Sequence, residues 1–459
     1  MEADKDQSVF RFASRREFIK KTAAAAAALA ATPVLKTPVY GQNQAPSAGV
    51  VAGANDRIVV GFIGVGGQGM AHVRDFKANA AQNNVVPVAV CDVWKKRIDQ
   101  AREFIGGDCQ GYGDYRKLLE RKDIDAVVIS THEPLHAAAT IAALQAGKHV
   151  YVEKPLTRYL GEAFEVQDTV KKTGKILQVG TQGCSAAAWH KAAEMIRSGK
   201  IGTLVWAQGY YCRNAPKGEW NYPIDSDCSA SNTNWEAWLG PVHKRIPFNA
   251  DHYFRWRKYY PYCAGLLGDL FPHRLNPLML ATGNPEFPVR VVSIGTKNVH
   301  TDRNTPDTPE RDVPEHMTVL AEFPSGLTLV IAASSVNAKS PGFVLYGHRA
   351  TLEIGTSGER LQLLPEKEFA DEIDPETMDG LTPSEDIPVH EKNWLDCIRA
   401  NKQPSADIEL AVRAQAVISL AEMADRLKTA CLFDEKSRTI KDESGRKIEP
   451  LTYGTLPLS

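Results

Sequence analysis

The chain has 459 residues, with 54 Lys plus Arg against 55 Asp plus Glu, a hydrophobic fraction of 43% and a charged fraction of 24%. A formal charge of −1 excludes a dominant electrostatic grip on nucleic acid or on an anionic membrane. The apolar content excludes disorder as the main state, and the length holds two or three domains.

The charge is unevenly placed. Residues 1–41 carry seven basic and four acidic residues, so they are +3 and the remainder is −4. The basic stretch ends in Ser14-Arg15-Arg16-Glu17-Phe18-Ile19-Lys20, and an Ala-rich run follows from Thr22 to Thr32. That run is too short for a membrane span, which needs about 20 apolar residues, and suits the apolar core of a signal. Paired arginines followed by Phe and Lys resemble a twin-arginine signal, which exports proteins already folded. The pattern predicts a signal over 1–40, with cleavage candidates near Ala28–Ala30, and a flexible lead-in over 41–55. It implies the twin-arginine translocase as a partner, a periplasmic or otherwise exported location, and no stable membrane span after cleavage. An uncleaved signal acting as an anchor is the alternative.

All eight cysteines follow this segment, none in a C-x-x-C pair, so structural zinc and thioredoxin-like redox chemistry are unsupported. Export permits disulfides.

Residues 57–63 read as a buried strand, followed by Gly64-Val65-Gly66-Gly67-Gln68-Gly69 and a helical stretch to Ala78. This is G-x-G-x-x-G in a strand–turn–helix setting. The first Gly allows the tight turn, the second the approach of a pyrophosphate, and the third close helix–strand packing. The helix N-terminus then offers amides and a dipole to the phosphates. A second strand, Val85–Cys91, ends at Asp92, whose carboxylate suits the adenosine ribose hydroxyls and repels a 2′-phosphate. NAD is therefore expected over NADP, with Lys95, Lys96 and Arg97 read as solvated residues opening the next helix. Alternation continues through helices at Lys95–Phe104, Tyr115–Glu120 and His136–Ala146 and strands at Ala126–Ser130 and His149–Val152. That order predicts a doubly wound parallel sheet with its ligand beyond the strand carboxyl ends.

Two of those ends are polar: Ser130-Thr131-His132-Glu133-Pro134 and Glu153-Lys154-Pro155. Together with Gly64–Gly69, Asp92, Asp114-Tyr115 and the Thr131–His136 turn, they resemble the Gfo/Idh/MocA oxidoreductases, the family of glucose–fructose oxidoreductase and inositol dehydrogenase. The resemblance implies a Rossmann domain over 56–180 and a C-terminal α/β domain over 181–440, built on a large, open, mostly antiparallel sheet, with a tail over 441–459. It also implies that Ser130, His132, His136 and Glu153 join Gly64, Gly66, Gly67, Gln68, Gly69 and Asp92 around the cofactor, with Gln182, Trp256 and Arg257. A homo-oligomer is expected from the resemblance alone.

The second half fits by its own pattern. Strands are expected at Thr203–Cys212, Val289–Asn298, Met317–Phe323, Leu327–Ser334, Phe343–Tyr346 and Thr351–Ile354, with a tight turn at Pro324-Ser325-Gly326. Helices near Val389–Ala400 and Ile408–Leu427 are placed to return against the first domain. Residues 215–262 hold 11 aromatics in 48 positions, including four of the eight Trp. Aromatic faces suit sugars, although most of these rings are expected to be core.

A dehydrogenase needs a base near its working pH and a group to orient it. Asp269 and His273 are four apart and would share one helical face. Asp-x-x-x-His resembles the family's catalytic pair, and Lys154 its Glu-Lys-Pro lysine. The expected mechanism has His273 as general base and acid, oriented by Asp269, with Lys154 hydrogen-bonding the reacting oxygen. Tyr210, Arg213, Arg255 and His190 are guesses as substrate contacts. His132 and His136 lack a carboxylate motif of metal-site type, so metal is not predicted.

The favoured reading is an exported NAD-linked enzyme that moves hydride at a hydroxyl or keto carbon of a sugar or polyol. Free nicotinamide nucleotides are scarce outside the cytoplasm, so a tightly held cofactor is expected. A redox-neutral, NAD-dependent glycosidase or lyase is the second reading and a non-catalytic carbohydrate-binding relative the third. The Glu-Lys-Pro and Asp-x-x-x-His motifs pull toward the first.

Overall fold

The computed structural model describes residues 56–301 and 311–454. The signal and lead-in expected over 1–55 lie outside the described residues. Strands β1 (Ile58–Ile63), β2 (Val85–Cys91), β3 (Gln110–Tyr112), β4 (Ala126–Ile129), β5 (His149–Glu153) and β6 (Leu177–Gly180) form one sheet in the order β3-β2-β1-β4-β5-β6. Every pair in it is parallel. Buried between helices on both faces, these strands are nearly continuous apolar runs, as in the fully buried Ala126-Val127-Val128-Ile129. The strand order reverses between β1 and β4, which opens a crevice beyond their carboxyl ends. Helix α1 (Gly67–Ala78) starts there, directly after β1.

The second sheet has strands β7 (Leu204–Cys212), β8 (Arg290–Thr296), β9 (His316–Glu322), β10 (Thr328–Ser334), β11 (Phe343–Gly347) and β12 (Ala350–Ile354). It continues with β13 (Leu361–Pro365), β14 (Glu376–Met378), β15 (Cys431–Asp434), β16 (Thr439–Lys441) and β17 (Lys447–Ile448). The order is β14-β13-β12-β11-β7-β10-β9-β8-β15-β16-β17, and only the β10–β7 pair is parallel. Met317, Val319 and Ala321 on β9 and Leu329, Ile331 and Ala333 on β10 are buried, and the residues between them face outward. Helices Phe271–Ala281 and Ile408–Leu427 pack against the buried side. The β9–β10 turn closes at Gly326, whose φ of +85° suits glycine.

Two helices lock the domains together. Helix Ile408–Leu427 packs against both β8 and helix Leu160–Thr173. Its Glu422 accepts two hydrogen bonds from Arg158, at 2.6 and 2.7 Å, in a pair wholly removed from solvent. Helix Ile387–Ala400 returns against the first domain, where Gln178 Nε2 donates to the His390 carbonyl at 2.7 Å and Trp394 packs edge-on against Phe76 and Tyr151.

The segment expected as a tail from 441 instead extends the sheet. β16 and β17 pair, and Tyr453 returns to the first domain to donate a hydrogen bond to Glu162 at 3.0 Å. All eight cysteines are free thiols.

Candidate active site

A cavity of about 910 Å³ runs along the carboxyl ends of the parallel strands, between the two domains. At one end stands the glycine turn. Gly64 has φ +83°, and a Cβ on it would fall 2.8 Å from the backbone of Ser130 and Thr131. A Cβ on Gly69 would meet the Gly64 carbonyl oxygen at 2.0 Å, so this glycine serves packing and does not face the cavity. Gly67 has open space around it. Gly66 caps α1 without a side-chain hydrogen bond, which leaves the first amides of the helix free to meet an anion.

Asp92 closes β2. Its two oxygens accept from the Val65 and Trp94 amides, both at 3.0 Å, which fixes the carboxylate at the cavity wall. The three cations after it part company. Lys95 pairs with Asp99, and Lys96 with Asp225 and Asp227. Arg97 is not a solvated helix opener as expected. It lines the cavity, with Nη1 donating to Tyr253 Oη at 3.0 Å.

Beyond β4, Ser130 Oγ and His132 Nε2 are buried at the cavity without a hydrogen-bond partner among the described residues, as ligand-seeking groups would be. Burial, reinforced by His136, drives the His132 imidazole down to about 3, so the ring is neutral. His136, expected at the cofactor, stands behind the cavity wall. Its ring nitrogens face the carbonyls of Pro155 at 2.7 Å and Thr131 at 3.1 Å, which braces the two polar turns from beneath. The ring itself lies outside the cavity wall.

Glu153 ends β5 as a buried hub. Its Oε1 receives His72 at 2.9 Å, Gln68 at 3.2 Å and Gln182 at 3.3 Å, and its Oε2 receives the Lys154 amide at 3.2 Å. Gln68 and Gln182 both reach the cavity, so one carboxylate fixes two amide side chains there. Burial opposes the charge on Glu153, but His72, Lys154 and His273 outweigh it and hold the acid down to about 2. His72 lies between Glu153 and Glu391, with Nδ1 2.6 Å from the latter.

The reacting end of the cavity gathers Lys154, Arg257 and His273. Lys154 Nζ lies 2.6 Å from Asp269 Oδ1 and 3.1 Å from the Asp269 carbonyl oxygen. Arg257 Nε donates to the same Oδ1 at 2.8 Å, and Trp220 Nε1 donates to Oδ2 at 2.8 Å. Burial alone would raise the acid, but Arg257 and Lys154 hold Asp269 well below the usual carboxylate range. Trp256 lines the cavity with the Arg257 guanidinium 4.2 Å above its ring.

The expected Asp269–His273 pairing is not the one the fold makes. Helix Leu266–Asp269 stops, and a new helix begins at Phe271 with Pro272 in its first turn, where a missing amide costs nothing. The four-residue rule therefore does not carry across Leu270. Asp269 turns to Lys154, whereas His273 Nδ1 stands 3.3 Å from Glu385 Oε1. Arg274 reaches the same oxygen at 3.2 Å. Burial opposes the charge on Glu385, but His273, Arg274 and Lys154 outweigh it and hold the acid down to about 2.

Sequence reading missed Glu385, Trp220 and Tyr222. Glu385 sits in a Pro- and Ser-containing loop with no motif, and its φ of +69° is the one local oddity. Among the aromatics of 215–262, Trp220, Trp235, Tyr259 and Tyr262 are core, Trp238 and Tyr253 are core rings that also form cavity wall, and Tyr222, Phe254 and Trp256 line the cavity. Tyr210, Arg213, Arg255 and His190 do not line it. They are held by Thr356, Glu219, Asp251 and the Cys184 carbonyl respectively.

Comparison with known proteins agrees with this geometry. A family model described as an oxidoreductase family with an NAD-binding Rossmann fold matches residues 58–181. Its companion, the C-terminal alpha/beta domain of the same oxidoreductase family, matches residues 241–430. A glycosyl hydrolase family 109 protein of Shewanella baltica is 29% identical over 265 residues, 51% of this chain and 55% of that protein. The chain thus spans about half the length of several such relatives. One from Shewanella pealeana is 27% identical over 388 residues, 76% of this chain and 83% of the relative. Among solved structures, a levoglucosan dehydrogenase in complex with NADH has a TM-score of 0.62 at 20% identity, covering 82% of this chain and 98% of that one. An oxidoreductase domain protein from Kribbella flavida has a TM-score of 0.64 at 20% identity, covering 83% and 100%. At that identity the likeness establishes the fold. The glycine turn, the uncapped helix start and the unpartnered Ser130 and His132 fit NAD as the cofactor.

Proposed function

The chain belongs to the Gfo/Idh/MocA oxidoreductase family, and on that premise we propose that it is an exported, NAD-dependent enzyme oxidising a hydroxyl-bearing carbon of a sugar or polyol. The observation that carries this reading is the convergence of Lys154 and His273 on the cavity that begins at the glycine turn. NAD, when bound, supplies the hydride acceptor.

The chain's own residues account for the proton and the oxygen. Lys154 has three N–H donors, and Asp269 engages two of them through its carboxylate and carbonyl oxygens. The third is left for the substrate oxygen, where it steadies negative charge as the O–H bond opens. His273 Nδ1 faces Glu385 at 3.3 Å, an ion-pair distance not aligned as a hydrogen bond, and the other ring nitrogen, Nε2, is assigned the hydroxyl proton, which it returns in the reverse direction. Arg257 and Trp220 keep Asp269 ionised and aimed at Lys154. Tyr222 and Trp256 supply aromatic surface beside these groups, which suits a sugar ring.

The second reading is a redox-neutral glycosidase, in which transient oxidation acidifies a neighbouring C–H before the hydride returns. It is favoured by the relatives at 27–30% identity that carry the name glycosyl hydrolase family 109. Product analysis with free sugars, polyols and aryl glycosides separates the two. An oxidised product with the glycosidic bond intact supports the first reading, and cleavage without net redox supports the second. A chain that binds sugar but takes up no nicotinamide nucleotide overturns both. Export is tested by replacing Arg15 and Arg16 with Lys, which should keep the protein in the cytoplasm; unchanged fractionation sinks the twin-arginine reading.

A further inference from the structure

Part of the cavity wall comes from outside the parallel sheet. Residues 232–234 run beside the carboxyl end of β2. There the Asn234 amide donates to the Val93 carbonyl at 2.9 Å, the Lys95 amide to the Asn232 carbonyl at 3.4 Å, and Trp94 and Thr233 form an antiparallel bridge. A few residues later the same segment is anchored beyond β4. Trp238 stacks on His132, with ring centroids 4.2 Å apart and planes within 6° of parallel. Gly240, at φ +53°, packs so closely that a Cβ on it would fall 2.5 Å from Leu135 Cδ2.

In the sheet, β1 lies between β2 and β4. A segment anchored beyond both lines, from Asn234 to Gly240, the same cavity that the glycine turn lines. Arg97 fastens the same region from below. Its guanidinium lies 5.0 Å from the Tyr253 ring, 5.5 Å from Trp94 and 5.8 Å from Phe254. A Cβ on Gly66 would fall 3.0 Å from Arg97 Nη1, so this cation hangs over the backbone that receives the phosphates. Outside the cavity, Lys96 holds Asp225 at 2.8 Å and Asp227 at 2.7 Å.

We infer that residues 225–254 form a strap that closes over the adenosine diphosphate half of the nucleotide and makes it a resident group. This rests on the functional reading above only in requiring a dinucleotide in the crevice. A ligand laid along the carboxyl ends from β2 to β5 passes beneath residues 234–240. Its diphosphate lies between the α1 amides and Arg97, which adds charge-assisted hydrogen bonds to the helix-terminal ones. Release then requires the strap to lift from β2 or from β4. Such a device suits an enzyme working where free nucleotide is scarce, and it locates retention in the second domain.

The test uses the full chain, loaded with NAD, freed of excess nucleotide and challenged with excess radiolabelled NAD. The expected exchange is slow, in the hours-long range that protein complexes reach, and the Lys96→Ala/Tyr253→Phe double variant exchanges at least about tenfold faster. Trp238→Ala should loosen the β4 anchor likewise, but it removes a buried ring, so the double variant is the deciding one. Hydrogen–deuterium exchange gives a second reading: amides from Thr233 to Gly240 should gain protection on loading. Exchange complete on mixing in the wild type, or a double variant exchanging at the wild-type rate, overturns the strap. Failure to take up any nicotinamide nucleotide overturns the functional reading itself, and the strap with it.

Discussion

His273 Nδ1 stands 3.3 Å from Glu385 Oε1, while Asp269, four residues earlier in the chain, is turned away to Lys154. The imidazole therefore draws its anionic partner from the loop before helix Ile387–Ala400 rather than from its own segment. A double-mutant cycle tells the two carboxylates apart. His273→Gln and Glu385→Gln should couple in kcat/KM, their combined loss falling short of the sum of the single losses by about 1 kcal/mol or more. His273→Gln and Asp269→Asn should be nearly additive. The reverse pattern would return the orienting role to Asp269.

Lys154 and Arg257 share one buried acceptor, and that makes Asp269 both a catalytic support and a structural one. Asp269→Asn keeps the shape, but its one remaining oxygen cannot accept from both Trp220 and the Lys154–Arg257 pair, and two cations face a neutral amide. Breaking a buried ion pair from one side costs about 3–5 kcal/mol, so a lower unfolding midpoint in urea is expected along with slower turnover. Lys154→Ala removes the donor to the substrate oxygen and should lower kcat by about 10²-fold or more, as loss of an oxyanion donor does, with nucleotide content unchanged. Steady-state rates beside absorbance of the bound nucleotide check both. Near-normal kcat in Lys154→Ala would remove the lysine from the mechanism.

Most of the Rossmann half was legible in the sequence because its signals are local. The glycine turn, β2 ending at Asp92 and the polar turns after β4 and β5 each lie within a few residues of the element that positions them. Helix Ile408–Leu427 could be bounded for the same reason. What escaped depends on distance in the chain. Glu385 meets His273 only because helix Ile387–Ala400 folds back on the first domain, and Trp220 meets Asp269 across a long loop. The helical pairing of Asp269 with His273 failed at one residue, Leu270, where a break that favours Pro272 resets the register. Arg97 was misread because a cation at a helix start is usually solvated; only the arrival of Tyr253 from the second domain buries it.

Asp92 and Arg97 bear on cofactor choice. With its carboxylate fixed by two backbone amides, Asp92 opposes a 2′-phosphate, yet Arg97 lies close by in the same wall. Asp92→Asn removes the repulsion and leaves the guanidinium. Affinity for NADP relative to NAD should rise by about tenfold or more, whereas Arg97→Ala, which removes the diphosphate contact common to both, should weaken the two nucleotides alike. Fluorescence titration of each variant with both nucleotides measures it. An Asp92→Asn variant with unchanged preference would show that the ribose lies elsewhere.

His72 sets a pH limit on the fold. Burial pulls its imidazole down, but the carboxylates of Glu153 and Glu391 on either side outweigh burial and lift it from 6.5 to about 9. Asp75 and His390 also face this group. Because the folded state holds the proton that the unfolded chain has released, the contribution to stability is whole below pH 6.5 and falls as pH rises through about 9. Glu391, pushed up from 4.5 to about 7 by burial against the pull of His72, adds a loss of the same sign over that lower span. Glu153, held down from 4.5 to about 2, gives the opposite limb, its support vanishing as acid reprotonates it. The wild type should therefore lose stability between neutral and alkaline pH, by on the order of 3 kcal/mol at most from His72. His72→Gln, which keeps an amide donor but cannot titrate, should flatten that limb while lowering the midpoint at pH 6. Tm measured in a buffer series with NAD held constant decides the matter. An alkaline decline of undiminished size in His72→Gln would assign it to other groups and leave the Glu153–His72–Glu391 chain a packing feature.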